Sequence, residues 1–471
     1  MNRRHFFKNT SLAAVGATLL NPFETKAETI DFEVFIKNKK AKNIIFLVSD
    51  GMSIGTLSMT DLFLKRKTGI GSNWLGLYQE NCVSRALMET ASASSIVTDS
   101  AAASSAWGSG FKVNNGSICV GINGEEYLPI WQKFKKAGKM AGCVTTVPIT
   151  HATPSGFCVN SKSRKGQEEI AEKYLEINFD VMMGGGLEFF DPNKRKDKRN
   201  LFAEFEEKGY QILKNRNQML ESDLVKPILG VFHEDGLPYQ LDCQADADLS
   251  NTIPTLAEMS RIAINKMKFN KNGFVLQIEG GKVDWAAHSN DVGALIHEQI
   301  AFDEAIKVAI DFAKTDKETL VIITTDHGNA NPGIIYGNAA NNNFDGIQNY
   351  KKTNEWLLNQ IHAETTVAQV QELILYANAQ EIDTEKAKII LSYYDGLHKE
   401  EGLYNYKKLP YKTFSEMQTK TNSVGWISGE HSADYVELAL FGPGSELLPP
   451  FIKNTDLHYL MLAAAEIENK F

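Results

Sequence analysis

Three short apolar runs in this sequence each end in residues that commonly bind metal ions. The runs and the residues that follow them are Asn43–Ser49 before Asp50, Gly273–Ile278 before Glu279, and Leu320–Thr325 before Asp326 and His327. Unbroken stretches of Val, Ile, Leu and Phe are typical of parallel strands that are covered on both faces. Because the carboxyl ends of parallel strands share one edge of an open α/β sheet, we expect these carboxylates to converge there.

The segment E-G-G-K-V-D-W-A-A-H adds two more potential metal ligands, Asp284 and His288, which are four residues apart. In a helix that begins near Val283, this spacing places both side chains on one face. The alternative is a polar loop before a surface helix, since such pairs are common on solvated faces. Four buried carboxylates and two histidines at one sheet edge would need cations. Oxygen-rich positions suit magnesium, and mixed His/Asp positions suit zinc.

A candidate nucleophile lies in the segment V-T-D-S-A-A-A-S-S-A-W, Val97–Trp107. Asp99 or Thr98 can cap a helix that starts near Ser100. The free N–H groups and the dipole at that helix end would favour a phosphate group. A metal ion can activate a serine hydroxyl that is otherwise a poor nucleophile. Without the metal ligands, a small-residue helix packed in the core would be the preferred interpretation.

Taken together, these motifs resemble those of the alkaline phosphatase family, in the order typical of that family and over nearly the whole mature chain. The motifs are D-S-A-A at Asp99–Ala102, H-A-T-P at His151–Pro154, the Glu279–His288 segment, D-H-G at Asp326–Gly328 and G-E-H-S at Gly429–Ser432. The resemblance implies an α/β fold with a large, mostly parallel central sheet, helices on both faces and an inserted cap or crown region. It also implies a homodimer.

The resemblance further implies two Zn²⁺ and one Mg²⁺ per subunit, although the third site could hold another divalent metal. The implied ligands are Asp284, His288 and His431 for the first zinc; Asp50, Asp326, His327 and the Ser100 oxygen for the second; and Asp50, Thr153, Glu279 and water for the third. Arg164 lies thirteen residues after His151, which is the family spacing for the arginine that grips the phosphate. Its planar guanidinium can form two parallel hydrogen bonds with phosphate oxygens.

The implied activity is hydrolysis of phosphate monoesters at alkaline pH, through a phosphoserine on Ser100, with release of phosphate and an alcohol. Two residues near the phosphate depart from the pattern of some bacterial relatives, since His151 replaces a carboxylate and Trp285 replaces a lysine. A histidine should weaken magnesium binding at the third site. His233 and Ile253 stand where acidic calcium ligands would be needed, so no calcium site is predicted.

Two other functions are compatible with parts of this motif set. A phosphodiesterase of the same superfamily would keep the zinc ligands but would usually lack the third metal site, for which Thr153 and Glu279 are present. A non-catalytic phosphate- or metal-binding protein would be expected to lack the nucleophile or a ligand. The net charge of -9 argues against nucleic acid as a partner. Small phosphomonoesters remain the expected substrates.

The amino terminus predicts export to the periplasm or beyond the cell. Residues 1–27 contain paired arginines, an apolar segment at Leu12–Leu20 and a small-residue cleavage site at Thr25–Ala27, which together resemble a twin-arginine signal peptide. No later apolar run is long enough to span a membrane. Five cysteines without paired spacing predict buried free thiols.

Residues 28–471 would then form one catalytic domain with two elaborations. The first, about 187–245, is predicted to be peripheral, and its run K-R-K-D-K-R is interpreted as a surface loop. The second, about 335–425, is a helical cap or crown insertion. Apolar residues at helical spacing predict amphipathic helices after Thr365-Thr366 and after Asp383-Thr384.

Overall fold

A ten-stranded sheet runs through residues 40–399 and 403–469, which are the residues that this computed structural model describes. The predicted signal peptide, 1–27, lies outside the described residues. The ten strands of this sheet are β1 (Asn43–Ser49), β2 (Ser84–Glu89), β3 (Met140–Pro148), β4 (Val181–Gly185), β5 (Gln211–Leu213), β6 (Ile228–Val231), β7 (Phe274–Gly280), β8 (Thr319–Thr324), β13 (Val436–Phe441) and β14 (Phe451–Lys453). Two small sheets of two strands each are formed by β9 (Gly328–Asn329) with β12 (His431–Ser432) and by β10 (Gly333–Ile334) with β11 (Val424–Gly425).

The sheet is mostly parallel, as predicted. Its strand order is β14-β2-β13-β8-β1-β7-β3-β4-β6-β5, and β13 runs antiparallel to both of its neighbours while the other adjacent pairs are parallel. β1 lies between β7 and β8, and the register pairs Val48 with both Glu279 and Thr324. The three predicted strands therefore end side by side.

Helices cover both faces of this sheet. They are α1 (Ile54–Thr68), α2 (Asn73–Gln79), α3 (Ser100–Ser109), α4 (Ile130–Lys136), α5 (Ala152–Gly156), α6 (Gln167–Ile177), α7 (Leu201–Glu207), α8 (Arg216–Leu220), α9 (Gln240–Gln244), α10 (Ala247–Thr252), α11 (Leu256–Met267), α12 (Lys282–His288), α13 (Val292–Asp316), α14 (Ala340–Gly346), α15 (Asn354–Gln360), α16 (Val367–Asn378), α17 (Thr384–Leu391), α18 (Tyr411–Asn422) and α19 (Asp456–Ala464). Successive residues of β1 feed two cores, since Ile45 and Leu47 pack into one and Ile44 and Phe46 into the other. Side chains of a strand alternate between its faces, so both layers are anchored to the same strand.

The segment 335–425 forms helices with a hydrophobic core of their own. Val370 and Ile374 of α16 pack with Ile390 of α17 in this core, apart from the two cores of the sheet. Both predicted amphipathic helices are present. Thr366 caps α16 in a capping box with Gln369, and Asp383 caps α17.

The interpretation of K-R-K-D-K-R as a solvated loop is wrong at Arg195. Its side chain is fully buried, and it pairs with Glu172 at 2.8 Å and with Asp197 at 2.5 Å. It also donates a hydrogen bond to the carbonyl oxygen of Phe189 at 2.8 Å. Five guanidinium donors can satisfy several acceptors at once, so a basic run can contain a buried residue. The same stretch of chain supplies β5 and β6, which extend the sheet at one edge.

All five cysteines are free thiols in the structure. The predicted burial is found for four of them, but it is wrong for Cys82, which is partly exposed. Burial raises the pKa of the Cys119 and Cys243 thiols to about 12. These two thiols are therefore protonated at neutral pH and behave as small apolar side chains.

Replacing Ile45 by alanine should lower the free energy of unfolding by about 2–5 kcal/mol, because a fully buried side chain in the central strand leaves a cavity. Ile54→Ala is the matched control, since that isoleucine is 52% exposed and its loss should cost no more than about 0.5 kcal/mol. Chemical denaturation of both variants measures the difference. Equal effects would contradict the assignment of β1 to the centre of the core.

Candidate metal centre

Four carboxylates lie buried together where β1, β7 and β8 end and α12 begins. Asp50, Glu279 and Asp326 are fully buried, and Asp284 is nearly so. The turn after β1 needs glycine, because Gly51 has a φ of +66° and a Cβ there would lie 2.4 Å from Oδ1 of Asp284. Close approach of two backbone segments thus brings the carboxylates into one cluster.

The first group of ligands combines Asp284 with two histidines. Asp284 Oδ2 lies 3.3 Å from Nε2 of His288, and Asp284 Oδ1 lies 3.5 Å from Nε2 of His431. The two Nε2 atoms are 3.1 Å apart. Each ring places Nδ1 near a backbone carbonyl oxygen, Gly429 for His288 at 2.7 Å and Thr98 for His431 at 3.0 Å. This is how proteins orient histidines that bind metals through Nε2.

The second group surrounds the hydroxyl of Ser100. Ser100 Oγ lies 3.5 Å from Oδ1 of Asp50 and 3.3 Å from Nε2 of His327. Asp326 Oδ1 accepts from the N–H groups of Gly51 at 2.9 Å and His327 at 3.0 Å. Asp326 Oδ2 is 3.1 Å from Nε2 of His327. This oxygen is nevertheless buried without a well-aligned hydrogen-bond donor. That oxygen is therefore available to a cation.

The third group shares Asp50 with the second. Asp50 Oδ2 accepts a hydrogen bond from Thr153 Oγ1 at 3.2 Å. Ligand atoms of Asp50, His151 and Glu279 lie within 4.8 Å of one another. Glu279 Oε2 accepts from Thr145 Oγ1 at 2.5 Å, whereas Oε1 is buried and has no hydrogen-bond partner. Another buried atom without a partner is Nδ1 of His151.

Ser100 is the first residue of α3, and Asp99 is the cap. The Asp99 side chain accepts from the N–H of Ala102 at 2.9 Å. Between the two caps that the sequence allowed, the structure uses Asp99 rather than Thr98. Ser100 is buried beside the second group of ligands, with the positive end of the helix dipole behind it. An anion at this position would be favoured by the helix and by any bound cations.

Arg164 reaches this site from the loop before α6. Its Nη1 donates to Asp99 Oδ2 at 3.1 Å, and its Nη2 donates to Nε2 of His151 at 3.0 Å. Trp285 packs edge-on against His151, with ring centroids 6.2 Å apart. Burial, and then the charge of Arg164, lower the pKa of His151 to about 3. His151 is therefore neutral and accepts a hydrogen bond from the arginine.

The electrostatics of the cluster favour bound cations. Burial and then the neighbouring Asp326 hold the pKa of Asp50 well above its usual value, and burial raises that of Glu279 to about 8. Burial alone would lower the pKa of His288, but the Asp284 carboxylate raises it to about 9. Without metal, these groups would hold protons in place of cations. Buried oxygens without donors and histidine Nε2 atoms facing carboxylates fit divalent metals well.

The structure adds supporting residues that the sequence motifs did not reveal. Asn329 donates from Nδ2 to Oδ1 of Asp284 at 2.7 Å, and Thr145 donates to Glu279. Asn329 directly follows the D-H-G motif, which is a signal that could have drawn attention to it. Thr145 is one residue in a buried strand, and only the pairing of β3 with β7 places it opposite Glu279.

A mostly parallel sheet that gathers three carboxylate- and histidine-rich groups beside a serine at a helix amino terminus is typical of a metal-dependent hydrolase of phosphate esters. The comparisons with known proteins agree with this class. The alkaline phosphatase family model matches residues 41–467, and the chain belongs to the alkaline phosphatase family. The chain is an enzyme that hydrolyses phosphate monoesters with the help of metals.

Individual relatives agree in sequence and in fold. Alkaline phosphatase 3 of Bacillus subtilis is 33% identical over 432 residues, which cover 88% of this chain and 87% of the relative. The crystal structure of Thermus thermophilus alkaline phosphatase superposes with a TM-score of 0.84 at 29% identity, covering 92% of this chain and 93% of that one. A cold-active alkaline phosphatase from a Shewanella species shares the fold at 24% identity, with a TM-score of 0.76 and coverage of 90% and 99%.

Metal binding to the metal-free protein should release protons and strengthen as the pH rises towards about 9. The raised pKa of His288, about 9, means that its ring is protonated at neutral pH, and a metal must displace that proton. Glu279, with a pKa of about 8, should also release a proton. Zinc titrations at several pH values, with a pH-sensitive dye, measure both effects.

His288→Gln should bind zinc more weakly and release about one proton fewer near pH 7. His362→Gln is the matched control, because His362 is exposed, and it should behave as wild type. Zinc affinity that is constant between pH 6 and 9 would contradict the metal-ligand role of His288.

Proposed function

We propose that the enzyme hydrolyses phosphate monoesters at alkaline pH through a phosphoserine on Ser100. The observation that carries this proposal is the position of the Ser100 hydroxyl, at the amino end of α3 and within 3.5 Å of both Asp50 and His327. A helix dipole, hydrogen-bond donors or cations near a nucleophile can stabilise the negative charge of the phosphoryl group that it attacks. Ser100 has both features, since it begins a helix and contacts two of the residues in the ligand groups.

The proposed cofactors are two zinc ions and one magnesium ion, held by the three groups of ligands. The residues that would hold them are Asp284, His288 and His431; then Asp50, Asp326, His327 and Ser100; and finally Asp50, Thr153 and Glu279. When bound, the metals supply Lewis-acid stabilisation of the negative charge on the attacking, leaving and phosphoryl oxygens. The shared carboxylate of Asp50 would tie the second and third positions together.

Arg164 is proposed to bind two phosphate oxygens with its guanidinium. Asp99 and His151 accept hydrogen bonds from it, and these contacts orient its guanidinium plane in advance of substrate. A pre-oriented guanidinium loses less side-chain entropy when it binds a phosphate. His151 and Trp285 are proposed to line the phosphate side of the site without a charge of their own.

The proposed reaction has two displacements at phosphorus. The Ser100 hydroxyl passes its proton to a water molecule, its oxygen forms a bond with phosphorus, and the bond from phosphorus to the ester oxygen breaks. The leaving alkoxide takes that proton from the water and departs as the alcohol. A second water then attacks the phosphoserine and the bond between phosphorus and Ser100 Oγ breaks. Ser100 Oγ takes one proton of the attacking water, and the remaining hydroxyl leaves as part of inorganic phosphate.

A phosphodiesterase of the same superfamily is the alternative. The third ligand group supports the monoesterase, since Thr153 and Glu279 both lie beside Asp50 as that site would require. In the proposed site the binding energy is directed at the phosphoryl group, so the enzyme is expected to accept many small phosphomonoesters.

Export, dimer formation and domain bounds complete the proposal. The paired arginines and the cleavage site in residues 1–27 support export by a twin-arginine route, to the periplasm or outside the cell. In the described part of the chain, no helix has the length and apolarity needed to cross a membrane. We propose a homodimer, a catalytic domain over 28–471, an elaboration near 187–245 and a cap or crown near 335–425. The separate core of that last segment supports treating it as a unit.

Ser100→Ala should reduce hydrolysis of a chromogenic phosphate monoester on the order of 10³-fold or more, because the nucleophile is lost. Ser250→Ala, at an exposed serine far along the chain, is the matched control and should retain activity. The matching diester is assayed in parallel at alkaline pH with zinc and magnesium supplied. A preference for the diester would support the alternative, and an active Ser100→Ala enzyme would refute the proposed nucleophile.

Activity of the mildly dialysed enzyme should rise when magnesium or cobalt is added, because a neutral histidine beside Asp50 and Glu279 is a poor magnesium ligand. His151→Asp should bind magnesium more tightly, by about 10-fold or more, since it adds an oxygen ligand. Equilibrium dialysis measures the binding. His297→Asn serves as the control for loss of a buried imidazole remote from the ligand groups. Unchanged magnesium affinity in His151→Asp would count against the third site.

A further inference from the structure

Lys282 is a buried lysine at the start of α12, two residues before Asp284, and the motifs assign it no role. Its side chain lies between two aromatic rings. The ammonium nitrogen is 3.6 Å from the ring centroid of Tyr239 and 4.7 Å from that of Trp285. Within residues 40–399 and 403–469, no carboxylate lies within ion-pair distance of it. A desolvated cation held by two ring faces is a strong form of this interaction.

From Trp285, a continuous set of contacts leads to Arg164. The indole packs edge-on against His151, and Nε2 of His151 accepts a hydrogen bond from Nη2 of Arg164 at 3.0 Å. His151 has no other described hydrogen-bond partner for its side chain, because Nδ1 is buried and unpaired. The orientation of its ring therefore depends on packing against Trp285 and on the arginine itself.

The backbone around Lys282 is built to hold this arrangement. Its N–H donates to Thr146 Oγ1 at 3.0 Å, which fixes the start of α12 against β3. On the other side, the loop that leads to Tyr239 packs directly on the indole and the lysine stem. A Cβ on Gly236 would lie 2.9 Å from Cζ3 of Trp285 and 3.3 Å from Cδ of Lys282. The rings and the lysine are thus closely enclosed.

We propose that Lys282 is a positioning residue for phosphate binding, which acts through Trp285 and His151 on Arg164. The ammonium draws the Tyr239 and Trp285 rings together, the indole limits rotation of the His151 ring, and the histidine keeps one side of the guanidinium in place. This inference rests on the proposed function, in which Arg164 binds the substrate phosphate. It adds a residue that touches neither substrate nor metal.

Lys282→Met removes the ammonium and keeps an apolar stem of similar length. The inhibition constant of inorganic phosphate, and the KM of a phosphate monoester, should rise by about 2- to 30-fold, while kcat changes by less than about twofold. Lys282→Arg should recover the wild-type constants, because a guanidinium also stacks on aromatic faces. Lys214→Met is the matched control, since Lys214 lies over Phe202 at 4.5 Å in another part of the molecule.

The route through the indole is tested in a Trp285→Leu background, where Lys282→Met should cause no further change in the phosphate inhibition constant. An equal rise in both backgrounds, or no rise in Lys282→Met with an unchanged melting temperature, would overturn the inference. If Lys282→Met does not fold, Tyr239→Leu should raise the inhibition constant and Tyr239→Phe should not. The opposite pattern would also overturn it.

Arg164→Ala separates this inference from the proposed function. A large rise of the phosphate inhibition constant in Arg164→Ala, without one in Lys282→Met, would refute only the role of Lys282. Unchanged phosphate inhibition in Arg164→Ala would refute the phosphate-binding role on which the inference depends.

Discussion

Burial of several carboxylates at one sheet edge is the constraint on which the rest of this structure depends. Asp50, Glu279, Asp284 and Asp326 lie almost completely out of water and close to one another. Like charges in such an environment must hold protons or bind cations, and the neighbouring histidines can pair with only some of them. When these carboxylates are ionised, bound metal ions are therefore needed to balance their negative charge. Metal ions held there would also attract the negative phosphate group of an ester.

The last ligand residue in the sequence, His431, is separated from the others by a long helical segment. His431 follows the helices of the segment 335–425, yet its short strand β12 pairs with β9, so that His431 lies opposite Asn329. Two buried carboxylates connect the segment 335–425 with helices that cover the sheet. Asp242 accepts hydrogen bonds from Thr353, and Asp291 caps α13 while it accepts from the N–H of Asn354 at 2.6 Å. These hydrogen bonds therefore connect the helices of segment 335–425 with α9 and with the start of α13, which follows α12 in the chain.

Two residues in contact with Arg164 organise the proposed phosphate site. Asp99 both caps α3 and accepts a hydrogen bond from Arg164, so the orientation of α3, which begins at Ser100, and that of the arginine depend on one side chain. His151 contacts the arginine on its other side and also lies within reach of Asp50 and Glu279. The ligand group around Asp50 and the proposed phosphate-binding arginine are thus connected through His151.

Local patterns in the sequence determined the strand ends and the starts of α3, α16 and α17 to within a residue or two, as well as the family, because apolar runs, capping residues and motif spacing are properties of neighbouring residues. They also brought Asp50, Glu279 and Asp326 to one edge through the rule for parallel strands. Only the tertiary structure decided the contacts between distant segments. Burial of Arg195, the support of Glu279 by Thr145 and the enclosure of Lys282 by Tyr239 and Trp285 all depend on which elements pack together, and that choice is made by the whole core rather than by any short stretch of chain.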